Sequence, residues 1–432
     1  MNESALRLKI FNTLYILFII SIISVFFKDL FSEWSFTTYQ ISEFLINYEG
    51  GFVRRGLLGQ LLFWFTKYSG IDVILTIKAI SVICCVAVCW FFIREFLKKG
   101  YALYIIFLCF FCGGIIMAEA LIRKDFLMLG CFILILLTYR KKTIPLFLKI
   151  VLINLISVFM ILTHEVFGFF TLPVVFFLLV YVFWKKKQMN ILVSGLVAFI
   201  SILPGLIAFL SVLDAHGTPA IAQAIWDSWR GLSMEALTPV LPSGNAIHFL
   251  GWPSGSTFFF HFNINFLKEE YYLLSIWYWL LAFFVVYYIM TNASLVFKKQ
   301  PEVYTLDDRK VLSAILSFQF FCLLPLFLFL SIDYIRLFFY LTTSSFALFM
   351  LIPSKIFTEL FPRPWLRGMY KLNSKIDILL PPSKTTVAFL MMVIGISYSG
   401  FVLKTIWMST MIYRIFLLFS EPILMLRDHF LR

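Results

Sequence analysis

Charged side chains are scarce in this sequence. Asp, Glu, Lys and Arg together supply 14% of its 432 residues, against about 25% in a soluble domain. So little charge cannot cover a water-facing surface, which excludes a soluble enzyme, a secreted scaffold and a disordered regulator. Cysteine has no loop positions: Cys84, Cys85, Cys89, Cys109, Cys112, Cys131 and Cys322 all lie in apolar runs. That excludes a disulfide framework and gives no metal-ligand spacing. A nucleotide-cradling glycine motif, an internal repeat and a low-complexity tract are absent too. Arg7 and Lys9 precede an apolar stretch without a small-residue cleavage pattern, so the first apolar run reads as an uncleaved span rather than a signal peptide.

What is abundant is apolar. Hydrophobic residues reach 61% and the mean hydropathy is +0.93. A span needs about 20 apolar residues, and such runs recur near 10–27, 71–93, 101–118, 126–139, 145–163, 166–184, 191–213, 271–290, 312–331, 337–352 and 385–403. A twelfth run near 408–426 is interrupted by Arg414, Glu421 and Pro422. Only helices satisfy their backbone within such segments. The expected fold is therefore all-α: a polytopic integral membrane protein, residues 1–432 forming one transmembrane domain of about 11–12 spans.

The net charge of +13 reads as a topology signal rather than a sign of a nucleic-acid partner. Basic clusters at Arg94/Lys98/Lys99, Arg140/Lys141/Lys142, Lys185/Lys186/Lys187, Lys298/Lys299, Arg309/Lys310 and the loop 353–384 all fall on one side if the N-terminus is cytoplasmic. The other side then carries two long segments, 28–70 and 214–270, and most of the polar chemistry.

Five constellations stand there. Glu49-Gly50-Gly51 and Arg54-Arg55-Gly56 break the chain between two short amphipathic segments, 41–48 and 57–65. Their adjacent guanidiniums suit bidentate capture of a diphosphate; the plainer alternative is anchoring to lipid phosphates. Glu119, Arg123, Lys124 and Asp125 crowd one turn, where Glu119 and Arg123 can simply pair and Lys124 and Asp125 are candidates for an anionic substrate. Thr163-His164-Glu165 joins two spans directly. A His-Glu pair at an apolar boundary is equipped for general-base work, or else it ties off helix ends. The segment 214–270 interleaves Trp226, Trp229, Arg230, Glu235, His248, Trp252, His261 and Phe258, as a sugar-binding surface would, with a short helix expected around 219–232; a shielding lid is the alternative. Asp333 and Arg336 either neutralise one another or complete an anionic pocket.

Polar chemistry on one membrane face, above apolar helices, suits a substrate with a lipid tail and a charged, sugar-bearing head. In topology, and in its Arg54-Arg55-Gly56 loop and large loop 214–270, the chain resembles the Wzy-type O-antigen polymerases. Its long segment after the first span is similar instead to the GT-C glycosyltransferase plan. That plan makes Asp29, Glu33, Glu43 and Glu49 rival candidates for the catalytic acid.

The resemblance implies a metal-independent glycosyltransferase of a bacterial inner membrane that needs no cofactor. Its partners would be an undecaprenyl-diphosphate-linked donor and acceptor, membrane lipids and a chain-length regulator. Catalysis falls to Glu165, His164 or Glu49. Substrate binding falls to Arg54, Arg55, Arg123, Lys124, Asp125, Arg230, Trp229 and Arg336. A lipid-linked oligosaccharide flippase is the competing class, although transporters tend to carry charge at the midplane and repeated halves.

Overall fold

The computed structural model describes residues 3–118, 121–232, 237–252, 272–297, 306–331, 333–397 and 403–430. Glu119, Glu235, Phe258 and His261 from the sequence reading lie outside them. Every regular element among the described residues is helical, as apolar segments that must satisfy their own backbone require.

In chain order the helices are α1 (Glu3–Phe31), α2 (Tyr39–Leu45), α3 (Gly56–Ser69), α4 (Val73–Lys99), α5 (Cys112–Met117) and α6 (Asp125–Arg140). Next come α7 (Leu146–Thr163), α8 (Val166–Tyr181), α9 (Ile191–Asp214), α10 (Pro219–Arg230) and α11 (Ala246–Leu250). The rest are α12 (Tyr272–Phe297), α13 (Leu306–Pro325), α14 (Tyr334–Leu351), α15 (Ser354–Leu360), α16 (Arg363–Leu379), α17 (Lys384–Val393), α18 (Leu403–Met408) and α19 (Met411–Phe430). A π turn extends α8 over Val182–Lys186, and another extends α13 over Leu326–Leu330.

Among the described residues seven helices are long and apolar enough to cross a membrane, or eight if α16 and α17, bent by 92°, form one span. The sequence reading expects more, and the differences have physical causes. Residues 101–118 do not form a single helix. They run as a short 3-10 turn, Leu103–Ile105, then irregular chain, then α5. A Cβ on Gly113 would strike the Phe107 carbonyl and one on Gly114 the Cys109 carbonyl, so the chain doubles back in a way only glycine permits.

The segment still runs alongside α1. Tyr104 bonds Asn12 near one end of α1 and Leu121 bonds Asp29 near the other, about 25 Å apart along that helix. Irregular backbone at this depth survives only when buried in protein. Here it is: Ile105, Ile106, Phe110, Phe111 and Cys112 are fully enclosed, and Thr342 and Arg414 donate to the Phe110 and Met117 carbonyls.

The run 385–403 is likewise no single helix. After α17 the chain extends through Ile394–Ser397, where Ser397 accepts from Ile335 and Ile396 donates to Ser409. The stretch 353–384, expected as a loop, contains α15 and the basic α16.

Nearly all of α14 is buried, and α5, α6, α8, α12 and α13 contact it. Helices α7, α8 and α9 pack together beside it. The chain passes from α7 to α8 through His164 and Glu165 alone. That reversal therefore lies at the same end of the bundle as the start of α14, where Arg336 bonds Asp125.

Candidate functional site

Five separate stretches of sequence converge at this end. Helix α2 brings Glu43; the turn before α3 brings Arg54 and Arg55; the turn before α6 brings Arg123, Lys124 and Asp125. The α7–α8 reversal brings His164 and Glu165, and the first turns of α14 bring Arg336 and Tyr340, with Asp333 just ahead of them.

Arg55 holds the centre. Its Nε lies 2.9 Å from Glu165 Oε2 and its Nη2 2.6 Å from Glu165 Oε1. Its Nη1 donates to Glu43 Oε1 at 3.3 Å. The residue has φ 66°, a left-handed conformation that costs a non-glycine residue about 1–2 kcal/mol. Strain of this kind persists where surrounding contacts over-determine it, and the two carboxylates provide them. Before it, Gly51 takes φ 128°, a turn that needs glycine. Arg54 N donates to the Ala215 carbonyl, fastening the turn to the end of α9.

His164 lies beneath, 1% exposed. Its Nε2 is 3.3 Å from Glu43 Oε1 and its Nδ1 is 3.4 Å from the Val166 backbone nitrogen. The Val166 N–H points at Nδ1, which assigns the ring proton to Nε2, where it is donated to Glu43. Burial, and then the Arg55 charge, hold the imidazole below its ordinary value, so it is neutral at pH 7. With both nitrogens engaged, His164 orients Glu43 rather than taking protons itself.

The second half of the network centres on Arg336. Its Nε donates to Asp125 Oδ1 at 2.8 Å and its Nη1 to Asp333 Oδ2 at 3.2 Å. Its Nη2 comes within 3.5 Å of His164 Nε2; both atoms carry protons, so this is a contact rather than a hydrogen bond, and the two halves are linked by the Arg336 charge acting on Glu43. The Tyr340 hydroxyl also donates to Asp125.

Burial pushes the Glu43 and Glu165 carboxyls up. For Glu43 the His164 hydrogen bond and the Arg336 and Arg55 charges outweigh it; for Glu165 Arg55 and Arg54 do. Both end well below the ordinary carboxylate range and stay ionised at neutral pH.

Lys124, fully buried, donates to the Arg55 and Thr163 carbonyls, each at 3.3 Å. Burial lowers its pKa to about 8 against the ordinary 10.5. The folded state thus binds this proton less tightly than the unfolded chain, so stability rises with pH between about 8 and 10.5. Lys124→Met is expected to flatten that rise. Thermal midpoints of both proteins across this window measure it, and an equal rise in the variant would remove Lys124 as its source.

The rim of the network is more open. Side-chain exposure is 19% for Arg55, 18% for Arg54, 14% for Arg123, 11% for Glu165 and 29% for Asp333, against none for Glu43 and Asp125, so hydrogen bonding rather than exposure separates Arg54 and Arg123 from Arg55. Arg54 Nη1 is 4.0 Å from Glu165, and its Nε is buried without a hydrogen bond. Arg123 lies over the Tyr39 ring and 3.5 Å from Asp333 Oδ2, and its Nε has no partner. In and beside the described network five cations (Arg54, Arg55, Arg123, Lys124, Arg336) face four carboxylates (Glu43, Glu165, Asp125, Asp333). Added negative charge is best received at Arg54 and Arg123, since Arg55 and Arg336 already spend their donors within the protein.

The expected residues thus divide. Glu165, His164, Arg54, Arg55, Arg123, Lys124, Asp125 and Arg336 come together. Glu49 does not: it is exposed and accepts from Gln60 Nε2 at 2.8 Å, and among the described residues no hydrogen bond or ion pair ties it to the network.

Trp229 is a correction. It is fully buried, edge-on to Phe36 and Phe63, and donates to the Leu45 carbonyl, so no ring face is left for a sugar. Arg230 pairs with Asp227 on the surface of α10; that helix itself matches the one expected around 219–232. Helix α2 is not a surface helix either, because Ile41 through Leu45 are buried. Gly59 serves that packing: a Cβ there would meet the Ile46 carbonyl.

Tyr340 escaped the sequence reading because it sits one turn inside an apolar run. Its spacing of four from Arg336 on one helix face was the available signal. Glu43 was one of four rival acids: Glu33 and Glu49 are exposed, and Asp29, buried like Glu43, bonds the Leu121 backbone nitrogen, so only the fold singles Glu43 out. Comparison with family models, curated proteins and solved structures returns no match, so the chemistry of these side chains carries the functional reading.

Proposed function

We propose that the chain polymerises undecaprenyl-diphosphate-linked oligosaccharide repeat units by glycosyl transfer at the network face. In the bacterial inner membrane, with a cytoplasmic N-terminus, this face is periplasmic. The observation that carries the reading is a buried acid–arginine network with two incompletely bonded guanidiniums at its rim, at one end of an otherwise apolar bundle. A substrate held by its lipid tail presents its diphosphate and first sugar at that depth.

In this mechanism Arg54 and Arg123 bind the donor diphosphate and stabilise the charge that develops as the bond from the anomeric carbon to phosphate oxygen breaks. The acceptor hydroxyl oxygen forms the new bond to that carbon and, made strongly acidic by doing so, passes its proton to Glu165, which can take it late in the step although its pKa is depressed. Arg55 positions Glu165 by holding both its oxygens; His164 and Glu43 fix Arg55 from below. Arg336 and Asp125 brace the far side.

One observation favours a second reading. Glu43 is a wholly buried acid in the segment after α1, with Oε2 unbonded, which is where a GT-C transferase using a polyprenyl-phosphate donor carries its base.

Deletion in the native host, followed by gel analysis of surface polysaccharide, separates these. A polymerase deletion leaves a single repeat on the lipid core, and a GT-C deletion leaves a full ladder of altered repeats. Unmodified core alone points to a flippase. Complementation with Arg54→Gln/Arg123→Gln is expected not to restore the ladder, whereas Glu49→Gln restores it; a full ladder from the double variant would remove the diphosphate assignment.

A further inference from the structure

A second polar site lies at the opposite end of the bundle. Tyr139, Ile144, Leu146, Lys149, Ile153, Leu179, Val182, Lys186 and Lys187 line a cavity of about 280 Å³. A single water needs only roughly 10–15 Å³. Lys149 is fifteen residues from His164 along α7 and its capping residue, so this cavity lies about 22 Å from the network.

Its lining is divided by chemistry. Lys149, Lys186 and Lys187 supply three ammonium groups, and no carboxylate lines it. Lys149 Nζ donates to the Tyr139 carbonyl at 2.8 Å, which leaves donors to spare on an ammonium that has three. Ile144, Leu146, Ile153, Leu179 and Val182 form the apolar remainder.

The local backbone brings Lys186 and Lys187, both exposed, into the lining of the cavity. The α8 helix widens into a π turn over Val182–Lys186, a rare form that recurs at functional sites. Gln188 then takes φ 55° and closes the turn. Lys141 and Lys142 are exposed in the connection between Tyr139 and Ile144, two residues of the lining.

We propose that this cavity binds the phosphate-bearing headgroup of an anionic membrane lipid. The phosphate sits among the three lysines, and the start of an acyl chain lies against the isoleucine and leucine wall. Charge complementarity fixes the sign of the occupant, and the apolar half distinguishes an amphiphile from a free anion. Basic pockets between spanning helices take anionic lipids on this physical basis. The site is independent of glycosyl transfer at the far face.

Native mass spectrometry tests it, on the full-length protein released from nanodiscs of mixed phosphatidylcholine and phosphatidylglycerol. The wild type is expected to retain phosphatidylglycerol selectively. Lys186→Gln/Lys187→Gln replaces two exposed residues and should fold normally; it is expected to weaken that retention on the order of 30-fold, about a decade or less per lysine. Lys371→Gln/Lys375→Gln, on the exposed face of α16, should leave it unchanged. Equal retention of both lipids overturns the site, and so does equal loss in the α16 variant, which would assign binding to general surface charge. If inorganic phosphate alone displaces the lipid and raises the thermal midpoint equally, the lipid assignment fails in favour of a free anion.

Discussion

Arg55→Ala is expected to destabilise the protein by about 3–5 kcal/mol. The guanidinium is the principal counter-charge of Glu165, at 2.6 Å, and a secondary one of Glu43, at 3.3 Å, behind His164 and Arg336. Removing it leaves them buried and ionised, or forces them to take up protons at neutral pH. The desolvation of the acids, not the strength of the pair, sets the size of the loss.

Two companion variants separate the causes. Arg55→Gly removes the same charge but relieves the left-handed backbone, so it should be milder than alanine by about 1 kcal/mol. Arg55→Gln/Glu165→Gln replaces both ions by amides and should recover part of the loss, because it removes one of the two carboxylate charges left without Arg55, that of Glu43 remaining. Thermal unfolding in detergent at pH 7 measures all three. Acidification gives the same information from the other side. The Glu43 and Glu165 carboxyls are depressed, so their contribution is present above the unfolded carboxylate range near 4.3 and fades as pH falls towards the folded values. A midpoint for Arg55→Ala within the range of surface substitutions would mean that the network is not what holds α2, α3 and the α7–α8 reversal together.

The division between what the sequence reveals and what it conceals follows from range. Composition and run length identify an all-helical bundle because both are local, and the short connection at His164-Glu165 is legible for the same reason. Charges at the ends of apolar runs announce themselves, so most of the network residues are visible one by one. Their partnerships are not. Glu43 and Arg55 are twelve residues apart, but Arg55 and Glu165 are 110 apart and Arg336 and Asp125 are 211 apart. Nothing in spacing reveals that the arginines are largely engaged by the protein's own acids.

Hydropathy misleads in the other direction at residues 101–118, which are as apolar as a spanning helix. The run fails to be one because Gly113 and Gly114 let the chain fold back against its own carbonyls, with α14 and α19 side chains bonding the freed groups. Trp229 shows the same limit: an aromatic among polar neighbours looks like a sugar platform until it is found fully buried, edge-on to Phe36 and Phe63.

The largest expected effect on catalysis is that of Glu165→Gln. A positioned base contributes about 10²–10⁴ in rate, and with a reconstituted lipid-linked substrate that loss should fall on kcat with KM little changed. Arg54→Gln is expected to do the opposite in part, raising KM for the donor as well as slowing turnover, because it removes a contact to the diphosphate in both ground and transition states. Glu43→Gln discriminates between the two proposed arrangements. If Glu165 is the base, Glu43 acts only through His164 and Arg55; its amide retains their hydrogen bonds in part, and activity should fall far less than in Glu165→Gln. If instead Glu43→Gln is the inactive variant and Glu165→Gln stays within tenfold of wild type, the proton goes to the unbonded Oε2 of Glu43. Because Glu43 is wholly enclosed, that outcome also requires α2 or the turn at Arg54-Arg55 to move when the acceptor binds. The network would then be the closed state of the site, with Arg55 as the latch.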